Sequence, residues 1–481
     1  MITTEDNGVR SGTLYEEVAA RVTRLIDEGT FKPGDRLSSV RKLSQQLQVS
    51  ISTVMEAYRV LEDRGLIEAR PQSGYYVRLA RQEAPAEPEV SRPSRTPTAV
   101  SLSDFHGMLM RDIGNPNLLH LGAAIPNPEL LPIGKLSRTI AAVTRRHGVL
   151  SVAYNGPLGA EALRVQIARR ALGAGCTLSP DQILTTCGSQ EAISLALRAV
   201  CQPGDTVAIE SPVYYGILQC IEQLGLKALE IPTSPRTGIS LEALRYALGE
   251  NEVSACVVVS NFSNPLGGCM PDDHKRELVE MLSEREIPLI EDDIYGDIGF
   301  ADERPKTCKA FDRDGWVILC SSYSKTLAPG YRVGWAVAGR FMDKMTRLKL
   351  TSSLACPTPT QLAVADFLAN GGYDHHLRKI RKVYARQVLL MGQAVGRAFP
   401  TGTCVTRPEG GYVLWVECPP RVDALKLYEW ALTAGMTIAP GPLFSAKQKY
   451  RNCIRLNAAF WSEDVERAIV RLGQTADTMG K

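Results

Sequence analysis

The chain of 481 residues carries a formal net charge of +3, with 44% apolar and 22% charged side chains, an ordinary globular composition with length for about three domains. So small a net charge identifies no partner. No apolar run approaches ~18 residues and the N-terminus lacks a signal-like apolar stretch, so neither a membrane-spanning nor a secreted protein is expected. The twelve cysteines all lie between Cys176 and Cys453 with no C-x-x-C pair. That scatter predicts reduced thiols in a cytoplasmic protein and no metal site.

Residues 12–80 read as one compact unit. Leu14, Val18, Val22, Leu25 and Ile26 recur at helical spacing and stop at Gly29. Lys32-Pro33-Gly34 marks a turn. Ser39 then caps a short helix carrying Val40, Leu43 and Leu47, and Ser50 caps a longer one with Val54, Ala57, Tyr58 and Leu61 on one face. After Gly65, Ile67–Arg70 and Gly74–Val77 form a hairpin around Pro71-Gln72-Ser73. Helix, helix-turn-helix and hairpin make the order of a winged helix-turn-helix, whose second helix enters the major groove; a protein-binding module would have the same outline. Residues 1–80 hold eleven basic and eleven acidic side chains, so only a local excess favours DNA: Lys32, Arg36, Arg41, Lys42 and Arg59 against Asp35 and Glu56.

Pro85, Pro88, Pro93 and Pro97 then punctuate a stretch without apolar periodicity, an extended linker over residues 81–115. From residue 116 to 481, strand-like runs such as 183–186, 206–209, 255–259, 288–290 and 317–319 alternate with helical ones. This predicts an α/β body with a mostly parallel sheet and helices on both faces. Ligand groups in such sheets come from loops at the carboxyl ends of strands.

Suspicious residues sit just there. Gly188-Ser189-Gln190 opens a helix whose free N–H groups suit a phosphate, although a Gly-Ser cap is common. Tyr214 follows Pro212 and either stacks on a flat ring or simply packs. Asn264 precedes Pro265 as a hydrogen-bond donor or as ordinary turn chemistry. Asp292, with Tyr295 three residues on, is a carboxylate after a buried strand, paired with a pyridine nitrogen or capping the next helix. Last comes Ser322-Tyr323-Ser324-Lys325, with Arg332 beyond. A loop lysine and arginine on a solvated face would give the same pattern, but a desolvated lysine condenses with an aldehyde as a Schiff base. Hydroxyls and a guanidinium hold a phosphate. Aldehyde and phosphate together specify pyridoxal 5'-phosphate (PLP). S-x-x-K is also a β-lactamase signature, but its S-D-N and K-T-G companions are missing.

Two resemblances add to these readings. Residues 33–43, 49–58 and 70–77 resemble the GntR-type winged helix. That implies double-stranded DNA as partner, contacts from Arg36 and Arg41, and a DNA-facing helix end at Ser50, Ser52 and Thr53. Ser38, Gln48 and Ile51 depart from the family's usual proline, glycine and arginine. The ordered series G-S-Q, P-x-Y, N-P-x-G, D-x-x-Y and S-x-x-K resembles the fold-type I aminotransferases, with a smaller C-terminal subdomain implied. The resemblance implies Lys325 as the Schiff-base lysine, Asp292 on the pyridine nitrogen, Tyr295 and Asn264 on the ring hydroxyl, and Tyr214 stacked on the ring. Gly188, Ser189, Gln190, Ser322, Ser324 and Arg332 would cradle the phosphate, and Arg455 would grip a substrate carboxylate. Tyr154 would reach the partner subunit's phosphate in a homodimer. Head and body together resemble the MocR class of regulators. The implied function is a PLP-dependent transcription factor that senses an amino compound through external aldimine formation. A working aminotransferase with a head of minor role is the alternative. A body that merely binds is disfavoured, because the lysine and its carboxylate are both present.

Overall fold

The computed structural model describes residues 13–27, 29–31, 34–70, 73–77, 85–102, 115 and 117–479. Lys32, Pro33, Pro71 and Gln72, on which two expected turns fall, lie outside them, as do 81–84 and 103–114 of the expected linker and residue 116 of the expected body. The chain divides into two units, residues 1–84 and 85–481.

The smaller unit has helices Leu14–Asp27, Val40–Leu47 and Ile51–Asp63, then an antiparallel hairpin pairing Ile67–Arg70 with Gly74–Val77. Its core gathers Val18, Val22, Leu37, Val54, Tyr58, Leu61, Ile67 and Val77, the apolar stripe the spacing predicts. Ser39 and Ser50 accept hydrogen bonds from Lys42 N and Thr53 N, capping their helices. Gln48 ends the second helix at φ 55°, the left-handed conformation that glycine adopts without strain.

The larger unit is built on a nine-stranded sheet. Its order is Thr98–Ala99, Lys227–Ser234, Thr206–Ser211, Ala255–Val258, Leu289–Asp292, Val317–Ser322, Gly334–Val337, Ile183–Thr186, with Gly238–Ile239 paired beside Lys227–Ser234. The pairings from Lys227–Ser234 through Val317–Ser322 are parallel, while Gly334–Val337 runs antiparallel to both its neighbours. Alternate residues serve opposite faces. Ile209, Val257, Ile290 and Ile318 pack with Ile193 and Leu197 of the helix Ser189–Val200, whereas Ala208, Cys256, Leu289 and Val317 meet Leu278 and Leu282. A four-stranded sheet of Cys404–Val405, Val413–Glu417, Cys453–Asn457 and Ala439–Pro440 forms the C-terminal subdomain.

Residues 85–102, expected as linker, instead belong to the body. Ala86 O accepts from Val405 N, Glu87 accepts from Arg236 and Arg407 N, Thr98–Ala99 joins the sheet edge, and Val100 and Leu102 enter the core. Proline content signalled an extended backbone, and that backbone is satisfied by neighbours rather than by solvent.

Candidate functional site

Strand ends of the large sheet bring most of the expected residues to one cavity. It is lined by Ser189, Gln190, Tyr214, Asn264, Asp292, Tyr295, Ser324, Lys325 and Arg332, with Val259 and Ile294. Strand alternation explains the choice among three consecutive acids. Asp292 shares the face of Ile290 and points into the cavity. Glu291 points the other way and accepts from Ser260 Oγ, Cys308 N and Lys309 N. Asp293 leaves the strand to meet Arg304 and Asn261.

The electrostatics suit an aldehyde-bearing, cationic-ring cofactor. Lys325 Nζ donates to Ala124 O at 2.7 Å. Burial, reinforced by Arg455, lowers its pKa to about 8, against the pull of Asp292, so an unprotonated amine is within reach. Burial pushes the Asp292 carboxyl up to about 7, and the Asp293 charge adds to this. Its Oδ1 has no hydrogen-bond partner, nor has Ser324 Oγ. An orphaned buried carboxylate oxygen requires a cationic or donor partner, which a pyridinium N–H supplies.

The turn after Ile183–Thr186 forms a cradle. Gly188 caps the helix Ser189–Val200 at φ 96°, and a Cβ there would meet Arg332 Nη2 at 2.5 Å. Arg332 Nη2 donates to Cys187 O at 2.6 Å, and Arg332 itself is held at φ 53°, a sparsely populated conformation for a non-glycine residue. Helix N-terminus and guanidinium thus converge on one anion-sized place. Gln190 Nε2 is engaged by Gly216 O at 2.7 Å. Ser322 lines the adjoining cavity with Tyr323 and Asp293, and its Oγ accepts from Ser324 N, so it orders the loop carrying Ser324.

Arg455 lies on the strand Cys453–Asn457 of the smaller sheet and is fully buried. Its Nη1 donates to Asn264 Oδ1 at 2.9 Å and its Nη2 to Gly122 O. Its Nε has no partner, and among the described residues no carboxylate forms an ion pair with it. Phe444 lies under the guanidinium, 5.1 Å from ring centroid to Cζ. Tyr154 is not in its own chain's cavity; it is 86% exposed, in a segment where Val149 and Val152 are also exposed.

Residues 121–125 were not foreseen. Gly122 O meets Arg455, Ala124 O meets Lys325, and Ala123 and Ile125 carbonyls meet Asn457 Nδ2. This strip joins Lys325 to Arg455. Gly122 packs so closely that a Cβ would come within 2.8 Å of the Ile438 backbone. Its signal, a single Gly among small apolar residues, carries no periodicity.

In the smaller unit Ser50 Oγ lies 2.8 Å from Ser52 Oγ and 2.7 Å from Thr53 Oγ1, so the three hydroxyls cluster at the start of Ile51–Asp63. Arg41 is exposed, and Arg36 pairs with Tyr76 at the hairpin, its Nε beside Gly74. Ile51 and Met55, one turn apart, are 49% and 55% exposed.

Known proteins match both units. The family described as aminotransferase class I and II matches residues 142–472, and the family described as bacterial regulatory proteins, gntR family, matches residues 14–77. The uncharacterized HTH-type transcriptional regulator YjiR of Escherichia coli (strain K12) is 39% identical over 96% of this chain and 98% of its own; YdcR, described in the same words and from the same organism, is 40% identical over the same shares. The Pyrococcus horikoshii kynurenine aminotransferase structure is 30% identical, with a TM-score of 0.73 over 79% of this chain and 95% of its own. LysN from Thermus thermophilus, complexed with N-(5'-phosphopyridoxyl)-L-leucine, is 28% identical, with a TM-score of 0.71 over 79% of this chain and 99% of its own. The chain belongs to the MocR class of the GntR superfamily, in which a GntR-type winged helix is fused to a PLP-type class I and II aminotransferase body.

Proposed function

We propose that this protein is a transcriptional regulator whose body senses a carboxylate-bearing amino compound with PLP and whose head binds double-stranded DNA. The observation that carries it is Arg455, a fully buried guanidinium without an ion-pair partner among the described residues, on the strip that also holds Lys325. Such a charge calls for an anion, and a carboxylate fits its fork.

Bound PLP supplies an aldehyde that condenses with amines and a ring that accepts electrons. The chain's own groups then have separable tasks. Lys325 presents an amine whose pKa burial lowers to about 8. Asp292 holds the proton of the ring nitrogen. Tyr295 and Asn264 meet the ring hydroxyl, and Tyr214 covers the ring. Gly188, Ser189, Gln190, Ser324 and Arg332 hold the phosphate, with Ser322 ordering that loop. Arg455 orients the ligand by its carboxylate. Tyr154, exposed in one chain, completes the phosphate site of a second copy in a homodimer.

For the head, Arg36 and Arg41 hold phosphates, while the cluster of Ser50, Ser52 and Thr53 opens the recognition helix toward the groove. Exposed Ile51 and Met55 suit thymine methyl groups. We place the protein in the cytoplasm, with its DNA; no helix among the described residues is long and apolar enough to cross a membrane. Lysine, ring carboxylate and ligand arginine are all present, which favours a second reading of the body as an aminotransferase that retains turnover.

The test is chemical. Borohydride reduction of the yellow holoprotein is expected to fix PLP on Lys325, and Lys325→Ala to abolish the label. A label on any other lysine refutes the site.

A further inference from the structure

Beside the phosphate turn lie two thiols that the functional reading does not use. Cys187 immediately precedes Gly188, and Cys356 precedes the helix Thr358–Ala369. Their sulfurs are 3.6 Å apart, although 169 residues separate them in sequence. Among the described residues no other two thiols hydrogen-bond. Cys187 is half-buried and gives access from solvent, while Cys356 is buried. We propose that Cys187 and Cys356 form a reversible disulfide in response to hydroperoxides, and that this bond loosens the phosphate cradle.

Three features support the pair as a modification site. Bonding requires the sulfurs to approach by about 1.5 Å, a movement shared between side-chain rotation and the turn that carries Cys187. Lys349 Nζ, fixed by Pro157 O and Thr185 Oγ1 at 2.6 and 3.5 Å, favours a negative charge on the pair. The hydrogen bond from Cys187, then Lys349, lowers the Cys356 pKa against burial and Glu191, which favours its thiolate as the nucleophile.

The chemistry balances without a further component. The thiolate attacks the terminal peroxide oxygen, the O–O bond breaks, and hydroxide or alkoxide leaves with the second oxygen and takes up the proton that the thiol released. The other thiol then displaces hydroxide from the sulfenic acid, and its proton completes a second water. Two thiols and one hydroperoxide become one disulfide, water and the corresponding alcohol or water. A dithiol reductant reverses the bond by exchange.

The turn would feel the bond directly. Cys187 N donates to Glu191 and Cys187 O accepts from Arg332 Nη2, so shifting this residue disturbs the arginine and the first N–H groups of the phosphate helix together. This consequence rests on PLP phosphate binding at that turn.

The test uses the full-length holoprotein treated with hydrogen peroxide, followed by alkylation and peptide mapping. The expected result is one cross-linked peptide joining Cys187 to Cys356, reversed by dithiothreitol, with about tenfold weaker PLP binding, as loss of one hydrogen bond to a charged phosphate gives. Cys356→Ser, a residue outside the PLP contacts, is expected to bind PLP normally and to lose both responses. Oxidation confined to other cysteines overturns the proposal, as does a cross-link that leaves PLP affinity unchanged. Zinc retained at one ion per chain and shielding both thiols would overturn it too, because Glu191 lies within 4.8 Å of both sulfurs and would complete a metal site. If reduced protein fails to bind PLP, the site reading fails on its own, while the peptide map still decides the disulfide.

Discussion

Replacing Arg455 separates a carboxylate sensor from a site that merely traps amines. The guanidinium has five N–H donors, of which Nη1 and Nη2 serve Asn264 Oδ1 and Gly122 O while Nε serves nothing. A ligand carboxylate would therefore add charge-assisted bonds in a place without solvent screening. Removing one member of such a buried pair costs ~2–5 kcal/mol. Because Arg455 already has two neutral acceptors, the net loss should lie toward the middle, about 3 kcal/mol or roughly a hundredfold in ligand Kd. Arg455→Met fills the stem's volume without the fork, and Arg455→Lys keeps a charge but not the bidentate geometry. The assay is a titration of the cofactor's visible band in holoprotein with amino acids and with the matching amines that lack the carboxyl group. Arg455→Met should weaken amino acids about a hundredfold and leave the amines where they are, with Arg455→Lys between. Equal losses for both series, or no loss for amino acids, would refute the role.

The remaining predictions probe the ring, the interface, the head and the strap. Burial raises the Asp292 carboxyl from 3.8 to about 7 in the protein without cofactor; between those values the folded state keeps a proton that the unfolded chain releases, so this group's contribution to stability falls as pH rises. Asp292→Asn should therefore gain melting temperature relative to wild type as pH rises from about 4 to about 7 and level off above, while losing PLP affinity; a pH-independent difference would contradict the raised pKa. Mixing Lys325→Ala with Tyr154→Phe chains should restore one intact site per heterodimer, and no recovery of PLP affinity would argue against a shared site. Arg41→Ala should lower the salt slope of operator binding by about one unit and Ile51→Arg raise it by about one; unchanged slopes would remove both from the DNA interface. Ser91 Oγ bonds Ser211 O and Thr233 N and so ties the strap of residues 85–102 to the body; Ser91→Ala should reduce the effect of amino ligands on operator affinity while sparing ligand binding, and undiminished coupling would rule out that path.

How much was legible depended on whether a residue's role follows from its own strand. Asp292 and Lys325 stand at the ends of apolar runs, and the rule that ligands gather at such ends finds them. The same runs carry Glu291 and Asp293, and only the alternation of a placed strand sends these to Ser260 and Arg304. Arg455 was found only through the aminotransferase resemblance, because its bonds to Asn264 and Gly122 cross 191 and 333 residues of sequence, beyond the reach of local pattern. Cys187 and Cys356 show the limit most plainly: spacing argued for scattered thiols, and the fold makes them neighbours. Helices and hairpin of the head were legible throughout because each core position recurs locally, at Val18, Val22, Val54, Tyr58 and Leu61.

Regulation needs more than two sites on one chain; it needs an element whose state both sites bias. The strap of residues 85–102 satisfies the body's half of that requirement, since it begins where the head's unit ends and is bonded to the strand Thr206–Ser211 that leads to the cavity. Ser91 Oγ donates to Ser211 O at 2.5 Å and accepts from Thr233 N at 3.0 Å. Ser211 Oγ in turn bonds Tyr450 OH at 2.7 Å and Glu230 Oε1 at 3.0 Å, and three residues later comes Tyr214, which lines the cavity. A free proline-rich spacer would average out any rearrangement of that wall, because an unanchored chain has many conformations of similar energy. An anchored one changes its exit only when its anchors move. A ligand that shifts Tyr214 would reach Ser91 along the backbone through Pro212 to Ser211, whose carbonyl accepts from Ser91 Oγ, and by reciprocity an operator that favours one exit of the strap would favour one state of the cavity.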